Sequence, residues 1–303
     1  MVIEIVEPDK WPEVRDSLPE ASFLWERLVP SGGTTLLHGP PGCGKSALAW
    51  GIANAVAVGA PYLGLSTVQA RVLLVSTDMN LYEYKLRWGD AFLPSFAFCC
   101  IPKSDWTSND VRITEEWRKT RVFVEGFDNS PTLVVLDALG GFHAGKSSKD
   151  DEVATLLDGA FEAWLPGVAK LIIAHDRKGR YGQDGSPVEP GPEDLMGSQL
   201  WRANATSQLH MWKTGRHHST LRQEKSQVSA CLEHELPLYI DMFGRAELWN
   251  EKRAQEVIGK TKAAFRKLAL DGLPAGEQAK RLALEYGISE RTAWRWLSLA
   301  REI

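Results

Sequence analysis

The sequence of 303 residues predicts an α/β fold: a parallel sheet flanked by helices, with an antiparallel β extension and a small all-α domain at the end. Three observations predict it. Short apolar runs alternate with helical segments up to about residue 205, shorter β-like stretches separated by turn residues follow, and the pattern is helical from residue 251 onward. We therefore expect two domains, residues 1–250 and residues 251–303.

Each element follows from local patterning. Apolar runs with the length of buried parallel strands lie at residues 34–38, 71–78, 96–101, 132–137 and 170–175. Helices are expected between them, at residues 46–53, 81–92, 113–123 and 152–164. Antiparallel hairpins are expected from the stretches 207–213, 220–228, 236–242 and 245–249. Because strand and helix alternate in the first part, the sheet there should be parallel.

Residues 39–46, Gly-Pro-Pro-Gly-Cys-Gly-Lys-Ser, fill every fixed position of the G-x-x-x-x-G-K-[ST] phosphate loop. The loop falls at a predicted strand-to-helix turn, where backbone N–H groups and the helix N-terminus favour phosphate. Lys45 should reach the β and γ phosphates, and Ser46 should hold Mg²⁺. A glycine-rich turn with a coincidental Lys-Ser is the alternative. The residues expected to bind ATP are Gly39, Pro40, Pro41, Gly42, Cys43, Gly44, Lys45 and Ser46.

Composition is that of a globular chain, with 44% hydrophobic and 24% charged residues, and disorder is not expected. The net charge of −4 is uneven, because residues 251–303 carry 11 Lys and Arg against 7 Asp and Glu. The four cysteines show no zinc spacing, which favours reduced thiols. No apolar run is long enough to span a membrane and no signal peptide is evident, so a cytoplasmic location without membrane contact is expected.

Acidic and histidine residues follow three of the predicted strands. Asp137 ends four apolar residues and is expected to bind Mg²⁺, although many buried strands end in Asp by chance. Asp78 ends the strand after the loop helix, where a carboxylate could polarise the attacking water or simply cap the next helix. His175 ends a further strand, where it could sense the γ-phosphate or be an ordinary surface histidine.

These motifs resemble the RecA-like ATPases of the replicative helicase type, an AAA-like group with RepA-like and DnaB-like hexameric helicases. The resemblance covers about residues 20–230 and includes the segment 196–203. It implies a RecA-like sheet, ATP hydrolysis and a ring of six subunits, with ATP at the interface between subunits. The family usually has glutamate at the position of Asp78, so the catalytic base here would have a shorter side chain.

The resemblance also implies a cation that reaches the ATP of a neighbouring subunit. The family often shows Lys-x-Arg on a late strand, and here Lys225 is kept while Gln227 replaces the arginine. Lys225 is therefore the first candidate for this cation, followed by Arg222 and Arg202.

Two glycine-rich segments, residues 140–149 and 177–197, correspond to the loops with which RecA-like rings grip single-stranded DNA. Cations would follow the phosphates and an aromatic ring would stack on a base. Because the second segment also carries acidic residues, plain surface loops are the alternative. The predicted contacts are Lys146, Lys149, Lys178, Arg180 and Tyr181.

Residues 279–297 resemble a helix-turn-helix of the resolvase or sigma-factor kind. Helical spacing of apolar residues stops at Gly287, which suits a left-handed turn, and Ser289 caps a new helix. Arg291, Thr292 and Arg295 would face duplex DNA. A helical hairpin used for protein contacts is the alternative.

These features together predict an ATP-hydrolysing, ring-forming DNA motor. It would be a helicase or helicase-like translocase that acts in the replication of a plasmid, a phage or a related element. Two alternatives stay open. One is an ATP-switched DNA-binding regulator without unwinding activity, and the other is a recombination mediator that coats a single strand.

Overall fold

A computed structural model describes most of the predicted strands of the chain. The described residues are 10, 22–76, 96–100, 132–138, 167–176, 195, 200–215, 217–241, 245–249, 261, 263, 270, 272–288 and 290–301. The first part of the chain contains β1 (Phe23–Trp25), β2 (Val29–Pro30), β3 (Thr34–Gly39), α1 (Lys45–Val58), β4 (Arg71–Ser76), β5 (Phe96–Cys100), β6 (Thr132–Asp137) and β7 (Ala169–His175). The second part contains α2 (Leu200–Asn204), β8 (Ser207–Lys213), β9 (His218–Ser226), β10 (Leu236–Ile240), β11 (Ala246–Leu248), α3 (Ala275–Tyr286) and α4 (Glu290–Arg301).

One nine-stranded sheet organises the described part of the chain, in the order β11-β10-β9-β8-β3-β7-β6-β4-β5. The six strands from β8 to β5 in this order are all parallel to one another. Strands β9, β10 and β11 extend it in antiparallel fashion. The predicted parallel sheet with an antiparallel extension is therefore confirmed. The predicted helices at 81–92, 113–123 and 152–164 lie outside the described residues.

Burial explains why these strands could be predicted from the sequence. Every residue of β6 is buried, as is all of β7 except its last residue, so both strands consist of continuous apolar runs rather than alternating ones. Helix α1 is apolar on nearly all sides and packs into the same core. It ends at Gly59, whose left-handed conformation (φ 69°) turns the chain away from the helix.

Helices α3 and α4 pack against each other around a separate small core. The residues buried there are Leu270, Ala279, Leu282, Ala293 and Leu297. Gly287 lies in the left-handed region with φ 60° and ends α3, as the sequence predicts. The assignment of this pair as a DNA-binding helix-turn-helix, and a domain boundary near residue 250, stay predictions. Among the helices that the structure describes, none is long and apolar enough to cross a membrane.

Candidate active site

The sheet register brings the predicted catalytic groups to one edge. Gly39, the first residue of the phosphate loop, pairs with His175 at the end of β7. Asp137, at the end of β6, pairs with Ser76 at the end of β4. Because these strands are parallel, their carboxyl ends lie side by side, which is where open α/β sheets bind ligands.

The phosphate loop is fixed to strands β8 and β9. Ser219 donates a hydrogen bond from its Oγ to the carbonyl oxygen of Cys43 at 2.7 Å, and the Cys43 thiol donates to the carbonyl of Met211 at 3.2 Å. Burial raises the pKa of the Cys43 thiol. The thiol is therefore neutral near pH 7, and its hydrogen bond holds the loop against the sheet.

Two glycines of the loop make a matched pair for mutation. A Cβ at Gly39 would lie 1.9 Å from the carbonyl oxygen of Met211, whereas a Cβ at Gly42 would meet nothing within 4 Å. Gly42 has φ 76°, so alanine there costs only the backbone strain, about 1–2 kcal/mol. We expect Gly39→Ala to lower the free energy of unfolding by about 3 kcal/mol or more, because a backbone atom must also move. Urea denaturation of both variants measures the difference, and equal losses would contradict the close approach.

Lys45 is buried, with 4% of its surface exposed. Its Nζ donates hydrogen bonds to the carbonyl oxygens of Gly39 at 2.8 Å and of Pro40 at 2.9 Å. The Gly39 carbonyl also accepts from the backbone N–H of Asp176 at 3.0 Å. The ammonium group is therefore held inside the loop by the loop's own backbone, where it can meet phosphate oxygens.

Ser46 and Asp137, the two predicted magnesium ligands, lie in contact with each other. The Ser46 hydroxyl donates to Asp137 Oδ1 at 3.2 Å, although the two residues are 91 positions apart. Neighbouring ligands of an octahedral Mg²⁺ are about 3 Å apart, since Mg–O distances are about 2.1 Å. A hydroxyl and a carboxylate at this spacing fit that ion. Asp137 itself is buried.

The candidate trans-acting cations have partners within their own chain. Lys225 Nζ donates to the carbonyl oxygens of Arg202 and Ala203 at 2.8 and 3.0 Å, at the end of α2. Burial, and then the charge of Arg202, lowers the pKa of Lys225. Arg222 forms an ion pair with Glu235 and lies 4.9 Å from the ring centre of Trp212. Whether either cation reaches a neighbouring subunit stays a prediction.

Several predicted site residues lie outside the part of the chain that the structure describes. These are Asp78, Lys146, Lys149, Lys178, Arg180 and Tyr181. Arg291, Thr292 and Arg295 all belong to helix α4, and Thr292 is partly buried. Their proposed contacts with DNA stay predictions.

Sequence reasoning missed a cluster of buried polar side chains directly behind the phosphate loop. We call it the buried network, and its members are His38, Asp176, Gln208, His210 and Glu224. The His38 and His210 rings are stacked at 4.5 Å and 7°. A signal was present for the two histidines, because His38 and His210 each stand directly after an apolar residue within a strand. Recognising it required the strand order.

The two carboxylates of the buried network each contact both imidazoles. Asp176 Oδ1 lies 2.7 Å from His38 Nδ1, and Asp176 Oδ2 lies 3.1 Å from His210 Nε2. Glu224 Oε2 lies 3.3 Å from His38 Nε2. Glu224 Oε1 lies 3.2 Å from His210 Nδ1, an ion-pair contact at an angle too poor for a hydrogen bond.

These contacts change the proton affinities of the groups. Burial alone would lower the pKa of His210, but contacts with Asp176 and Glu224 outweigh it and raise the pKa to about 9. Burial alone would raise the pKa of both carboxyls, but their contacts with His210 and His38 lower each to about 2. His210 is therefore an imidazolium near pH 7 between two carboxylates.

Stability should depend on pH through His210. Its folded pKa of about 9 lies above the ordinary 6.5, so its stabilisation is complete below pH 6.5 and is lost as the pH rises through 9. The carboxyls act oppositely: their pKa values of about 2 lie below the ordinary 3.8 and 4.5. Their stabilisation is lost as the pH falls below 4.5.

We expect the free energy of unfolding to fall between pH 6.5 and pH 9, because His210 loses its proton in this range. His210→Gln should remove much of this slope, whereas His234→Gln, at an exposed histidine, should leave it unchanged. Urea denaturation at several pH values measures the slope. The same slope in wild type and His210→Gln would contradict the assignment.

The chain is a P-loop ATPase with a RecA-like fold. This class is defined by the phosphate loop, by the contact of Ser46 with Asp137 beside it, and by the parallel sheet that carries both. The family model described as AAA domain matches residues 6–181, more than half of the chain. The chain belongs to the AAA domain family.

A solved structure shares this fold. The chain is similar to the "ATPase Domain of G40P", with a TM-score of 0.53 and 12% sequence identity, over 80% of this chain and 96% of that chain. At this identity the likeness concerns the fold alone. No curated protein matches the chain.

Proposed function

We propose that the chain is a cytoplasmic, Mg²⁺-dependent ATPase that assembles into a ring of six subunits and moves along DNA as a helicase or helicase-like translocase. Its role would be the replication of a plasmid, a phage or a related element. The single observation that carries ATP hydrolysis is the 3.2 Å contact of Ser46 with Asp137 beside the buried Lys45. The DNA motor is supported by the resemblance of the sequence motifs to the replicative helicases.

The chemistry follows from the charges at this edge of the sheet. Mg²⁺, when bound, would supply positive charge that offsets the negative charge of the phosphates. Ser46 and Asp137 would hold this ion, and the Lys45 ammonium would add a positive charge on the phosphates. Asp78 would orient the attacking water, and His175 would contact the γ-phosphate from the end of β7. Lys225 would act on the ATP of the neighbouring subunit.

Two regions would contact DNA. Lys146, Lys149, Lys178, Arg180 and Tyr181 would line the ring channel and bind a single strand through charge and stacking. Arg291, Thr292 and Arg295 on α4 would contact duplex DNA. Helix α4 is 12 residues long and follows α3 after the turn at Gly287, and this succession of two helices supports the proposed helix-turn-helix.

The packed α3–α4 pair also favours a second candidate function. An ATP-switched regulator would use this pair to recognise a duplex sequence, with ATP controlling assembly and without strand separation. The two functions differ in the DNA that they need.

The deciding experiment compares ATP hydrolysis with and without single-stranded DNA, in wild type and in Lys45→Ala. Stimulation by the single strand, together with separation of a forked duplex, supports the motor. Sequence-specific duplex binding without stimulation would support the regulator. Electron microscopy adds a structural test, because closed rings are expected for the motor and filaments would indicate a strand-coating mediator.

A further inference from the structure

Three of the five residues of the buried network lie next to a residue of the candidate active site in the sequence. His38 precedes Gly39 of the phosphate loop, Asp176 follows His175, and Glu224 precedes Lys225. The strands involved, β7, β3, β8 and β9, are consecutive in the sheet. His38 and His210 are register partners on β3 and β8. The network therefore links three separate elements that carry catalytic candidates.

Four hydrogen bonds link the five residues of the network, and the ion-pair contact between His210 and Glu224 closes them into a ring. The Gln208 amide donates from Nε2 to His38 Nε2 and to Glu224 Oε2, both at 3.0 Å. Because His38 Nε2 accepts there, its proton lies on Nδ1 and is donated to Asp176. His210 then joins Asp176 to Glu224. In this arrangement every carboxylate oxygen has a nitrogen within 3.3 Å.

Stability alone does not account for a network of this kind. All five side chains are buried or nearly so, and the two histidines have no exposed surface. Burying charges costs desolvation free energy that their attraction roughly offsets, so apolar residues of similar volume would stabilise the sheet equally well. What directional contacts add is a defined position for the elements that they join.

The geometry argues against a metal site at the same residues. His38, Asp176 and His210 offer ligand atoms within 4.8 Å of one another. The rings are stacked and parallel within 7°, however, so their nitrogen lone pairs lie in two parallel planes and do not converge on one ion. A tetrahedral metal needs converging ligands. Each nitrogen instead faces its own oxygen.

We propose that the buried network is a positioning device, which sets the places of His175 and Lys225 relative to the phosphate loop. Removing a charge from it should slow ATP hydrolysis much more than it weakens ATP binding. The inference rests on the proposed ATPase function. The network residues would act through their sequence neighbours rather than on the substrate, and small displacements of catalytic groups cost up to about 100-fold in rate.

The test uses the full chain with Glu224→Gln and Asp176→Asn, which keep the shape of the side chains and remove their charge. We expect kcat for ATP to fall about 10-fold or more, with KM within about 3-fold of wild type. Glu233→Gln, at an exposed position, is the matched control and should leave both unchanged. Unchanged kcat in the network variants would overturn the proposal. Parallel losses of kcat, ATP affinity and thermal stability would overturn it too, because a merely structural role predicts them.

Histidine NMR distinguishes a failure of the network proposal from a failure of the proposed ATPase function. Ring signals of His38 and His210, assigned with His38→Gln and His210→Gln, should shift when Mg²⁺ and a non-hydrolysable ATP analogue are added. A wild-type chain that binds nucleotide without hydrolysing it would defeat the proposed function, while this shift would still support the network's link to the loop. If the ring signals did not shift when nucleotide binds, the proposed link between the network and the loop would be overturned. Retention of one equivalent of zinc by wild type, and its loss in His210→Gln, would also overturn the proposal.

Discussion

Replacing Lys45 by alanine should lower ATP turnover about 10²- to 10³-fold, the usual loss when one preorganised charge is removed from a transition state. The lysine is 4% exposed and its ammonium lies within the phosphate loop. In such a site charges are only weakly screened. Without the ammonium, the loop loses the positive charge that would balance the charge developing on the phosphoryl oxygens. Phosphate release at saturating Mg²⁺-ATP measures the effect.

The control for this variant is Lys213→Ala, which removes the same side chain from an exposed position at the end of β8. It should keep wild-type turnover. Because Lys45→Ala also removes two hydrogen bonds to loop carbonyls, its thermal unfolding must be recorded in parallel. A folded Lys45→Ala variant with turnover close to wild type would contradict the assignment of the loop.

Replacing Asp137 by asparagine should reduce turnover about 100-fold and raise the Mg²⁺ concentration needed for half-maximal activity. The change keeps the shape of the side chain and an oxygen near Ser46, but it removes the negative charge that attracts the ion. The 3.2 Å contact between Ser46 and Asp137 places both oxygens where one ion can reach them. A titration of activity with Mg²⁺ measures the shift.

Glu233→Gln serves as the control for Asp137→Asn, because it removes a carboxylate from an exposed position. Its Mg²⁺ dependence should equal that of wild type. If Asp137→Asn also showed wild-type Mg²⁺ dependence, the ion would have to be held elsewhere, and the paired assignment of Ser46 and Asp137 would be wrong.

The sheet could be predicted because its strands are either long and apolar or separated by clear turn residues. Strand β6 was predicted with its observed bounds, residues 132–137, since all six residues are buried and the run ends at a charged residue. The small β1–β2 sheet was not predicted. Its strands have three and two residues, too few to show a period.

In the candidate site, likewise, one part could be predicted from the sequence and another part could not. The phosphate loop is a local motif, so its position followed from eight consecutive residues. The buried network is not local: His38 is 138 positions from Asp176 and 170 from Gln208. Single polar residues in apolar runs carry no information about their partners. Only the order β7-β3-β8-β9 brings them together.

The central claim is that a nucleoside triphosphate binds at the loop formed by residues 39–46, with Mg²⁺ held by Ser46 and Asp137. Calorimetric titration of the purified chain with ATP and GTP, with and without Mg²⁺, tests it most directly. We expect saturable binding in the presence of Mg²⁺, weaker binding without the ion, and a large loss of affinity in Lys45→Ala. Failure of wild type to bind either triphosphate with Mg²⁺ present would contradict the account.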